Sequence, residues 1–240
     1  MKLSIIIATY NSAKTLSRTL DSIKDQTLDE IEVIVIDGNS SDGTMRIVEE
    51  FNSKAIRWLS EPDKGIYDAW NKGLKLSSGK YICFIGSDDY FAYPNALSDL
   101  FNLADKEGLD FVSAKYQLVD EIGEERLVRG LPWSWNGIKK RMVVAHPGSL
   151  HKRSMYSTME YNSLYRIASD YELLLNQGPM LKSGFLNKIT VVMADGGVSN
   201  NFVWKTLVEV YDIQRKSRYI SLPRSLFNFV RALVRTYILR

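Results

Sequence analysis

Short apolar runs alternate with stretches of helical periodicity through the first part of the chain. Runs of about five residues that are rich in β-branched side chains predict buried strands. They lie at Leu3–Ala8, Ile31–Ile36, Ala55–Leu59 and Tyr81–Ile85. Three helices are predicted between these strands. The first carries Leu16, Leu20 and Ile23 on one face. The second starts near Ser41, and the third spans Gly65–Leu76. Because strands that alternate with helices form βαβ units, this pattern predicts a parallel sheet covered on both faces.

The pattern changes after Asp89. We expect a helix at Pro94–Glu107, a strand at Asp110–Ala114 followed by a hairpin through Ile122–Glu124, a helix at Ile167–Gln177 and a strand at Phe185–Met193. Residues 130–165 are expected to be irregular, and the chain is helical and basic from about Phe202. These features predict one α/β domain with a C-terminal helical extension, rather than two independent domains.

Composition and charge argue against several classes of protein function. The 240 residues are 45% hydrophobic and 25% charged, which is typical of a globular protein. A net charge of +3 is too small to indicate nucleic-acid binding. The single cysteine, Cys83, lies in an apolar strand, so no disulfide can form within the chain and a reducing, cytosolic setting fits. No apolar span is long enough to cross a bilayer, and residues 1–9 lack the full pattern of a signal peptide.

Two adjacent acids, Asp88 and Asp89, follow the strand predicted at Tyr81–Ile85. Ligands of open α/β sheets bind just beyond the carboxyl ends of the strands. Because two neighbouring carboxylates repel each other, a cation between them is favoured. Mg²⁺ and Mn²⁺ prefer oxygen ligands and share their coordination with substrate phosphates. The pair therefore predicts either a divalent metal site that holds a phosphate or an ordinary exposed Asp-Asp turn.

Strand ends earlier in the chain also carry polar side chains. The first strand leads into Thr9-Tyr10-Asn11 rather than into Gly-x-Gly-x-x-Gly, which argues against a dinucleotide-binding oxidoreductase. A polar, aromatic turn at a helix start can instead hold a base or a ribose. Asp37 ends the second strand, where it either accepts hydrogen bonds from a base or ribose or forms a turn before Gly38.

One face of the third predicted helix carries Asp68, Asn71 and Lys72. Lys64 precedes that helix, near the end where an anion is favoured. This face is either a ligand-binding surface or a solvated surface with an ion pair between residues four apart. Asp170 begins a later helix and, taken alone, is typical of the acids found in a first helical turn.

Taken together, these segments closely resemble glycosyltransferase family 2, whose members are inverting nucleotide-sugar enzymes of the GT-A fold. The matching segments occur in family order and spacing: Ser4–Asn11, Val35–Thr44, Glu61–Gly73, Ser87–Asp89, Ser169–Tyr171 and Gly196–Ser199. The resemblance implies a mixed, mainly parallel α/β sheet flanked by helices. A Rossmann-like nucleotide-sugar-binding half would span residues 1–90 and an acceptor half residues 91–200. Residues 201–240 would form a basic amphipathic helical extension.

The resemblance also implies roles for single residues. The nucleotide and the donor sugar would be held by Thr9, Tyr10, Asn11, Asp37, Lys64, Asp68 and Asp88. Asp89 would be the direct ligand of a divalent metal, Mn²⁺ or Mg²⁺. Asp170 would be the catalytic base, with Ser169 standing where many members have an acid. His146 would lie near the acceptor.

Residues 130–200 hold three further features. His146 and His151 are five apart, so on a strand they would face opposite sides, and they lack the usual helical spacing of a zinc pair. Trp133 and Trp135 would share one strand face, where they could stack on a sugar or pack in a core or lid. The paired glycines of Gly196–Ser199 suit a mobile segment near the diphosphate.

The implied reaction moves a sugar from a nucleoside-diphosphate sugar, with UDP as the expected carrier, to a sugar hydroxyl with inversion at the anomeric carbon. The acceptor would be a glycan linked to polyprenyl diphosphate, extended in the cytoplasm for a bacterial surface polysaccharide. A nucleotidyltransferase and a non-catalytic nucleotide-sugar-binding or scaffold protein are the alternatives. Residues 215–240 carry seven Lys or Arg and no acid. They therefore predict either peripheral contact with the inner face of the cell membrane or a helix packed on the domain with a solvated basic face.

Overall fold

The computed structural model describes residues 1–51, 56–120, 123–194 and 202–237. Its strands are β1 (Leu3–Thr9), β2 (Ile31–Asp37), β3 (Ile56–Ser60), β4 (Tyr81–Gly86), β5 (Tyr90–Phe91), β6 (Phe111–Val119), β7 (Glu125–Arg129), β8 (Leu150–Lys152) and β9 (Ser183–Ala194). Its α-helices are α1 (Leu16–Lys24), α2 (Thr44–Glu50), α3 (Ile66–Leu76), α4 (Ala96–Glu107), α5 (Trp135–Ile138), α6 (Ser169–Gln177), α7 (Val203–Lys216) and α8 (Leu222–Tyr237).

The N-terminal half of the sheet is parallel, as predicted. β1 lies between β2 and β4, and β3 pairs with β2, all in parallel. Ile5 and Ile7 of β1 pack with Leu20 of α1, whereas Ile6 packs with Trp70 of α3. Because successive side chains of a strand point to opposite faces, this continuous apolar run is buried on both sides.

The second half of the chain continues the same sheet. Among the described residues the strand order is β3-β2-β1-β4-β8-β6-β9-β5, with β7 paired to β6. β8 runs antiparallel to both β4 and β6, and β9 runs parallel to β6. The result is a mixed, mainly parallel sheet flanked by helices, which confirms the predicted fold class.

The predicted hairpin is present, since β6 and β7 pair in antiparallel fashion. Ile122 of its turn lies outside the described residues, as does Ala55 at the predicted start of β3. β6 continues beyond the predicted end at Ala114, because it pairs along its whole length with β9. The helix predicted from Ile167 starts at Ser169.

The central strand β8 is not predicted by the sequence pattern, which indicates irregular structure there. Its three residues are too few to show the alternation that identifies a strand. The same stretch holds α5, so Trp135 begins a short helix instead of sharing a strand face with Trp133. Trp135 packs edge-on against Tyr219, with ring centres 4.9 Å apart. The prediction of a shared strand face for the two tryptophans is wrong.

The described part of the C-terminal extension packs against the domain. Gln214 of α7 donates from Nε2 to the hydroxyl of Tyr171 in α6, 2.9 Å away. Asn228 of α8 donates to the carbonyl oxygen of Lys139 at 3.0 Å. Both helices confirm the helical pattern expected from Phe202 onwards. Within the described ranges, no helix has both the length and the hydropathy needed to span a membrane.

Candidate active site

The carboxyl ends of β1, β2 and β4 meet at one edge of the sheet. Thr9 and Asp37 are register partners at the ends of β1 and β2. The loops that follow are tied to each other, because Ser12 Oγ and Ser87 Oγ lie 2.8 Å apart. The Ser12 amide also donates to Thr44 Oγ1 at 2.8 Å. The turn after β1, the end of β2 and the loop that carries the acid pair are therefore neighbours in space.

Tyr10 is an exposed aromatic residue in the turn after β1. Thr9 is buried, and its Oγ1 has no hydrogen-bond partner among the described residues. Asn11 adopts a left-handed conformation with φ of 50°, which asparagine tolerates better than most residues. Its amide donates to Ser40 Oγ at 2.7 Å, and its Oδ1 accepts from the Ser41 amide at 3.0 Å. Asn11 thereby fixes the turn that presents the ring of Tyr10.

Asp37 is fully buried, and its carboxylate organises the loop after β2. Oδ2 accepts hydrogen bonds from the Ser40 amide at 2.9 Å and from Ser60 Oγ at 2.6 Å. Oδ1 accepts a further hydrogen bond from Ser40 Oγ. All the hydrogen bonds that Asp37 accepts come from residues of the protein itself. Contact between Asp37 and a base or ribose therefore stays a prediction.

Asp63 lies beside this turn, although it is not among the predicted site residues. A Cβ built on Gly38 would lie 2.7 Å from Asp63 Oδ2 and 3.3 Å from Tyr10 Cδ2. Gly38 therefore leaves room for a carboxylate next to an exposed aromatic ring, an arrangement that suits stacking on a base and hydrogen bonding to it. The only sequence signal for Asp63 is its place in the segment Glu61–Gly73.

The N-terminus of α3 holds Lys64 and Asp68. Asp68 Oδ2 accepts a hydrogen bond from the Lys64 amide at 3.1 Å and lies 3.5 Å from Lys72 Nζ. The Lys64 side chain is exposed and makes no ion pair with the acids that the structure describes. Asn71 bonds to the backbone of Tyr161 through both ends of its amide, at 2.7 and 2.9 Å. Lys64 thus offers a positive charge at the helix start, while Asn71 holds a loop.

The acid pair folds back over the end of β4. Gly86 donates its amide hydrogen to Asp89 Oδ2 at 3.2 Å. A Cβ built on Gly86 would lie 2.8 Å from both Asp88 Oδ1 and Asp89 Oδ2, so the two carboxylates converge on this glycine. Burial, together with the charge of Asp88, raises the pKa of Asp89 to about 8. The doubly ionised pair is therefore costly without a positive partner.

The oxygen donors of the pair suit a hard divalent cation. Within the described ranges, no group of three or more His, Cys, Asp or Glu side chains could hold a metal. Mg²⁺ commonly keeps several waters and binds through one or two carboxylates plus substrate phosphates. Asp88 and Asp89 therefore fit a cation that is shared with a diphosphate.

Arg18 and Thr19 of α1 fix the backbone of the acid pair. Arg18 Nη2 donates to the carbonyl oxygen of Asp88 at 3.0 Å, and its guanidinium lies 4.4 Å from the ring centre of Tyr90. Thr19 Oγ1 donates to the carbonyl oxygen of Asp89 at 2.7 Å. The sequence pattern does not single out either residue, because each acts on a segment 70 positions away.

Asp170 lies in the first turn of α6, against the helix that carries Asp68. The hydroxyl of Tyr67 in α3 lies 2.7 Å from the carbonyl oxygen of Ile167 and 3.1 Å from Asp170 Oδ1. The Tyr171 amide also donates to Oδ1, at 2.8 Å. Burial raises the pKa of Asp170 to about 6, against the opposing effect of these hydrogen bonds. A carboxyl with this pKa can accept a proton near neutral pH.

Glu209 of α7 holds the segment that leads into the Asp170 helix. Its carboxylate accepts hydrogen bonds from the amides of Arg166, Ile167 and Ala168, at 3.0, 2.9 and 3.0 Å. A buried carboxylate that accepts several N–H groups at a helix start stabilises that start strongly. The C-terminal extension therefore contributes directly to the position of Asp170, which the sequence pattern does not reveal.

His146 and His151 are in contact, contrary to the expectation that they face opposite sides. Their ring centres lie 4.6 Å apart, because His146 precedes β8 instead of lying in a strand. The His146 ring is 2% exposed and stacks on Trp70 with ring centres 4.9 Å apart. Its Nε2 lies 2.8 Å from the hydroxyl of Tyr161, and burial lowers its pKa to about 3. His146 is thus a neutral core residue here, and its predicted role near the acceptor stays a prediction.

The structure therefore brings most of the predicted donor-side residues to one sheet edge and links Asp170 to α3. His146 lies in the core, away from solvent. The predicted mobile segment Gly196–Ser199 lies outside the described residues.

A family model described as "Glycosyl transferase family 2" matches residues 4–166, which is more than half of the chain. The match includes the turn after β1, the start of α3 and the acid pair, and it ends shortly before Asp170.

Two curated relatives illustrate the similarity. A PGL/p-HBAD biosynthesis glycosyltransferase of Mycobacterium bovis is 27% identical over 222 residues, covering 86% of this chain and 82% of the relative. A chondroitin synthase of Escherichia coli is 28% identical over 229 residues, covering 93% of this chain and 32% of the relative. The chain thus spans most of the first protein and only a part of the second.

Among solved structures, S. aureus TarS 1-349 in complex with UDP-GlcNAc superposes with a TM-score of 0.73 at 20% identity. The superposition covers 99% of this chain and 73% of that one, whereas a longer TarS structure is covered over 44% of its length. The likeness shows the GT-A fold. Because the family model matches more than half of the sequence, the protein belongs to glycosyl transferase family 2 and is a glycosyltransferase.

Proposed function

We propose that this glycosyltransferase moves a sugar from a UDP-sugar to a sugar hydroxyl, with inversion at the anomeric carbon. The observation that carries the proposal is the hydrogen bond between Tyr67 of α3 and Asp170 of α6. It joins the helix that bears Asp68, at the donor side, to the helix that bears a carboxyl with a pKa near neutrality. The proposed proton acceptor therefore lies next to the helix that bears Asp68.

The donor-side proposal rests on the sheet edge formed by β1, β2 and β4. There Tyr10, Asp63 and Asp37 would contact the base and ribose, supported by Thr9 and Asn11. Asp68, Asp88 and Lys64 would contact the ribose, the sugar or the diphosphate. Because TarS is described in complex with UDP-GlcNAc, UDP is the carrier that we propose first.

A divalent cation, Mn²⁺ or Mg²⁺, would be held by Asp89, with Asp88 beside it. When bound, such a cation stabilises the negative charge that develops on the departing diphosphate. Arg18 and Thr19 keep the backbone of the acid pair in place through their bonds to its carbonyl oxygens.

Asp170 is the proposed catalytic base. Tyr67 and Tyr171 both bond to Oδ1, which leaves Oδ2 for the acceptor hydroxyl. As the acceptor oxygen attacks the anomeric carbon, its proton passes to Asp170 and the nucleoside diphosphate leaves from the opposite face of the sugar. A single displacement inverts the anomeric configuration, so an α-linked donor gives a β-linked product.

The acceptor that we propose is a glycan carried on polyprenyl diphosphate, extended at the cytoplasmic face of a bacterial membrane for a surface polysaccharide. The name of the chondroitin synthase among the relatives supports a polysaccharide product. Peripheral membrane contact through residues 215–240 belongs to this proposal.

The substitution Asp170→Asn tests the assignment. It keeps the shape of the side chain but removes the proton acceptor, so we expect transfer to fall by at least about a hundredfold while UDP binding is nearly unchanged. UDP release with acceptor and Mn²⁺, together with calorimetric titration of UDP, measures the two quantities. Glu172→Gln, on the same helix, is the matched control and should keep its transfer rate.

Two outcomes would contradict the proposal. Transfer at the wild-type rate in Asp170→Asn would remove this residue as the base. If the wild-type protein binds UDP-sugars but releases no UDP with Mn²⁺ and any glycan acceptor, the chain is a binding protein instead.

A further inference from the structure

Helix α8 turns two polar side chains toward the protein. Ser225 and Asn228 of α8 are buried against the domain. Asn228 Nδ2 donates to the carbonyl oxygen of Lys139 at 3.0 Å and to Gln214 Oε1 at 2.9 Å. An amphipathic helix of a globular protein ordinarily buries its apolar side and exposes its polar side. α8 departs from this rule, because Ser225 and Asn228 face the protein while apolar side chains are exposed together with Arg224 and Arg231.

The apolar side of α8 faces outward. Leu222, Leu226 and Val230 follow one another at intervals of four residues, so they form one stripe along the helix. Together with Phe227 they are each between 50% and 60% exposed. Trp204 of α7 is also 57% exposed, and its ring lies 6.2 Å from that of Phe229 in α8. The row of Leu222, Leu226 and Val230, with Phe227 beside it, is called the α8 stripe, and Trp204 adds an exposed aromatic ring on the neighbouring helix.

A basic cavity lies between α8 and the segment at the end of α5, on the side of α8 that carries Asn228. It has a volume of about 380 Å³, and its lining includes Lys140, Arg141, Arg231 and Arg235 but no acid. None of these four residues makes an ion pair with the acids that the structure describes. Burial lowers the pKa of Arg141, and the charges of Arg235 and Arg231 lower it further. An anion that enters the cavity would relieve this repulsion.

The chemistry of the cavity favours a phosphate group. Guanidinium groups bind phosphate oxygens through paired N–H donors and lose less hydration energy than an ammonium group. Arg231 follows Val230 and points about 100° away from it around the helix, so it lies between the stripe and the cavity that it lines. When the apolar side of an interfacial helix enters the acyl region, basic residues on its flank lie at the level of the lipid headgroups.

We propose that the α8 stripe and the cavity lined by Lys140, Arg141, Arg231 and Arg235 together bind anionic phospholipid at a membrane surface. The stripe enters the outer acyl region, and the cavity receives a headgroup phosphate. This inference names the partner of the C-terminal extension, and it rests on the proposed function only for the use of the contact, which is to bring the enzyme to a lipid-linked acceptor.

Flotation with vesicles tests the basic cavity. Vesicles of phosphatidylcholine, with and without phosphatidylglycerol, are mixed with the full chain at about 0.15 M salt. We expect flotation only with phosphatidylglycerol, and at least tenfold weaker binding for the double variant Arg231→Gln/Arg235→Gln. Lys24→Gln/Lys106→Gln removes the same charge from exposed positions that make no ion pair with described acids, so it should bind like the wild type.

A second pair of variants tests the stripe. Leu226→Ser/Val230→Ser removes apolar contact area from exposed positions, so the fold should persist while vesicle binding is lost. Leu164→Ser/Met180→Ser is the matched control, because these side chains are 88% and 84% exposed elsewhere on the surface. The control should float like the wild type.

Several outcomes would overturn the inference. The first is equal flotation of the arginine double variant and its lysine control. The second is binding of inorganic phosphate that needs Arg231 and Arg235 in a protein that never floats, since the cavity would then serve a free anion. The third is a dimer in light scattering that Leu226→Ser/Val230→Ser dissociates, because a second copy would then cover the stripe.

The test is independent of catalysis. Flotation needs neither donor nor acceptor, so a chain that floats but transfers no sugar keeps the inference and loses the proposed function. Conversely, a chain that transfers sugar but does not float keeps the proposed reaction and loses both the inference and the membrane contact of residues 215–240. Far-ultraviolet circular dichroism of each variant confirms that it is folded.

Discussion

Asp170 has a pKa that its surroundings set. Desolvation in a partly buried site raises it to about 6, while the Tyr171 amide and the Tyr67 hydroxyl stabilise the charged form. The carboxyl is therefore mostly ionised at pH 7 and takes up a proton as the pH falls through about 6. An exposed aspartate would stay ionised to lower pH but would be a weaker base.

We expect kcat/KM for transfer to fall as the pH drops through about 6, because protonated Asp170 cannot accept a proton. Tyr67→Phe removes a hydroxyl that lowers this pKa, so the midpoint should move to higher pH. A profile between about pH 5 and pH 8 measures the midpoint. Tyr81→Phe is the control, since its buried hydroxyl bonds to the carbonyl oxygens of Ala104 and Leu109 in the other core cluster.

An unchanged midpoint in Tyr67→Phe would show that Tyr67 does not tune Asp170. An equal shift in Tyr81→Phe would show that the effect comes from general loosening of the core.

At the scale of elements, hydrogen bonds link α3 to α6 and α6 to α7. α3 bonds to Asp170 through Tyr67, and α7 caps the start of α6 through Glu209. The C-terminal extension is thus a structural support of the proposed base. The helical periodicity of the sequence predicts that these helices exist, but a period does not tell which helices meet.

Glu209→Gln tests this support. Glutamine has a single side-chain acceptor oxygen and no charge, so the three amides at residues 166–168 lose part of their bonding. We expect the free energy of unfolding to fall by about 1–3 kcal/mol and kcat to fall with it. Urea unfolding and initial rates measure both.

Glu49→Gln is the control for that substitution, because Glu49 is an exposed residue of α2. If Glu209→Gln unfolds at the same urea concentration as this control, the three hydrogen bonds contribute little to stability. Loss of stability with an unchanged kcat would mean that Glu209 supports the fold but not the position of Asp170.

At the scale of the whole molecule, the fold gathers three loop regions at one sheet edge and joins the two halves of the sheet through β8. The parallel order of β1, β2 and β4 puts their carboxyl ends together, as expected for a ligand-binding edge. The antiparallel β8 joins β4 to β6 and so connects the first half of the chain to the second.

Ligand binding to this edge should be visible as thermal stabilisation, because a ligand that binds only the folded state raises the free energy of unfolding. We expect UDP with Mn²⁺ to raise Tm more than UDP alone. In Asp89→Asn the additional rise due to Mn²⁺ should vanish. The comparison uses increments within each variant, since replacement of the buried carboxyl group alters the starting Tm as well.

Asp105→Asn serves as the control for thermal shifts, because Asp105 pairs with Lys80 on the surface of α4. It should keep the Mn²⁺ increment. An equal increment in Asp89→Asn would place the cation elsewhere.

The sequence by itself determined the parallel half of the sheet and the family, and it predicted the segments proposed to carry the chemistry. Continuous apolar runs indicate strands that are buried on both faces of the sheet, and the turn residues that follow them indicate where each strand ends. The segments Ser4–Asn11, Glu61–Gly73 and Ser87–Asp89 are each continuous in sequence, so the family resemblance can be identified from them without knowledge of the fold.

Only the tertiary structure decided how distant segments meet. Tyr67 and Asp170 are 103 positions apart, Glu209 lies 41 positions after the amide of Ala168, and β8 is too short to show a period. The burial of Ser225 and Asn228 in α8 also depends on its neighbours, because an amphipathic pattern fixes which residues share a side but not which side faces the protein. Local patterning records how each segment is buried, whereas pairing between segments depends on packing that no single segment encodes.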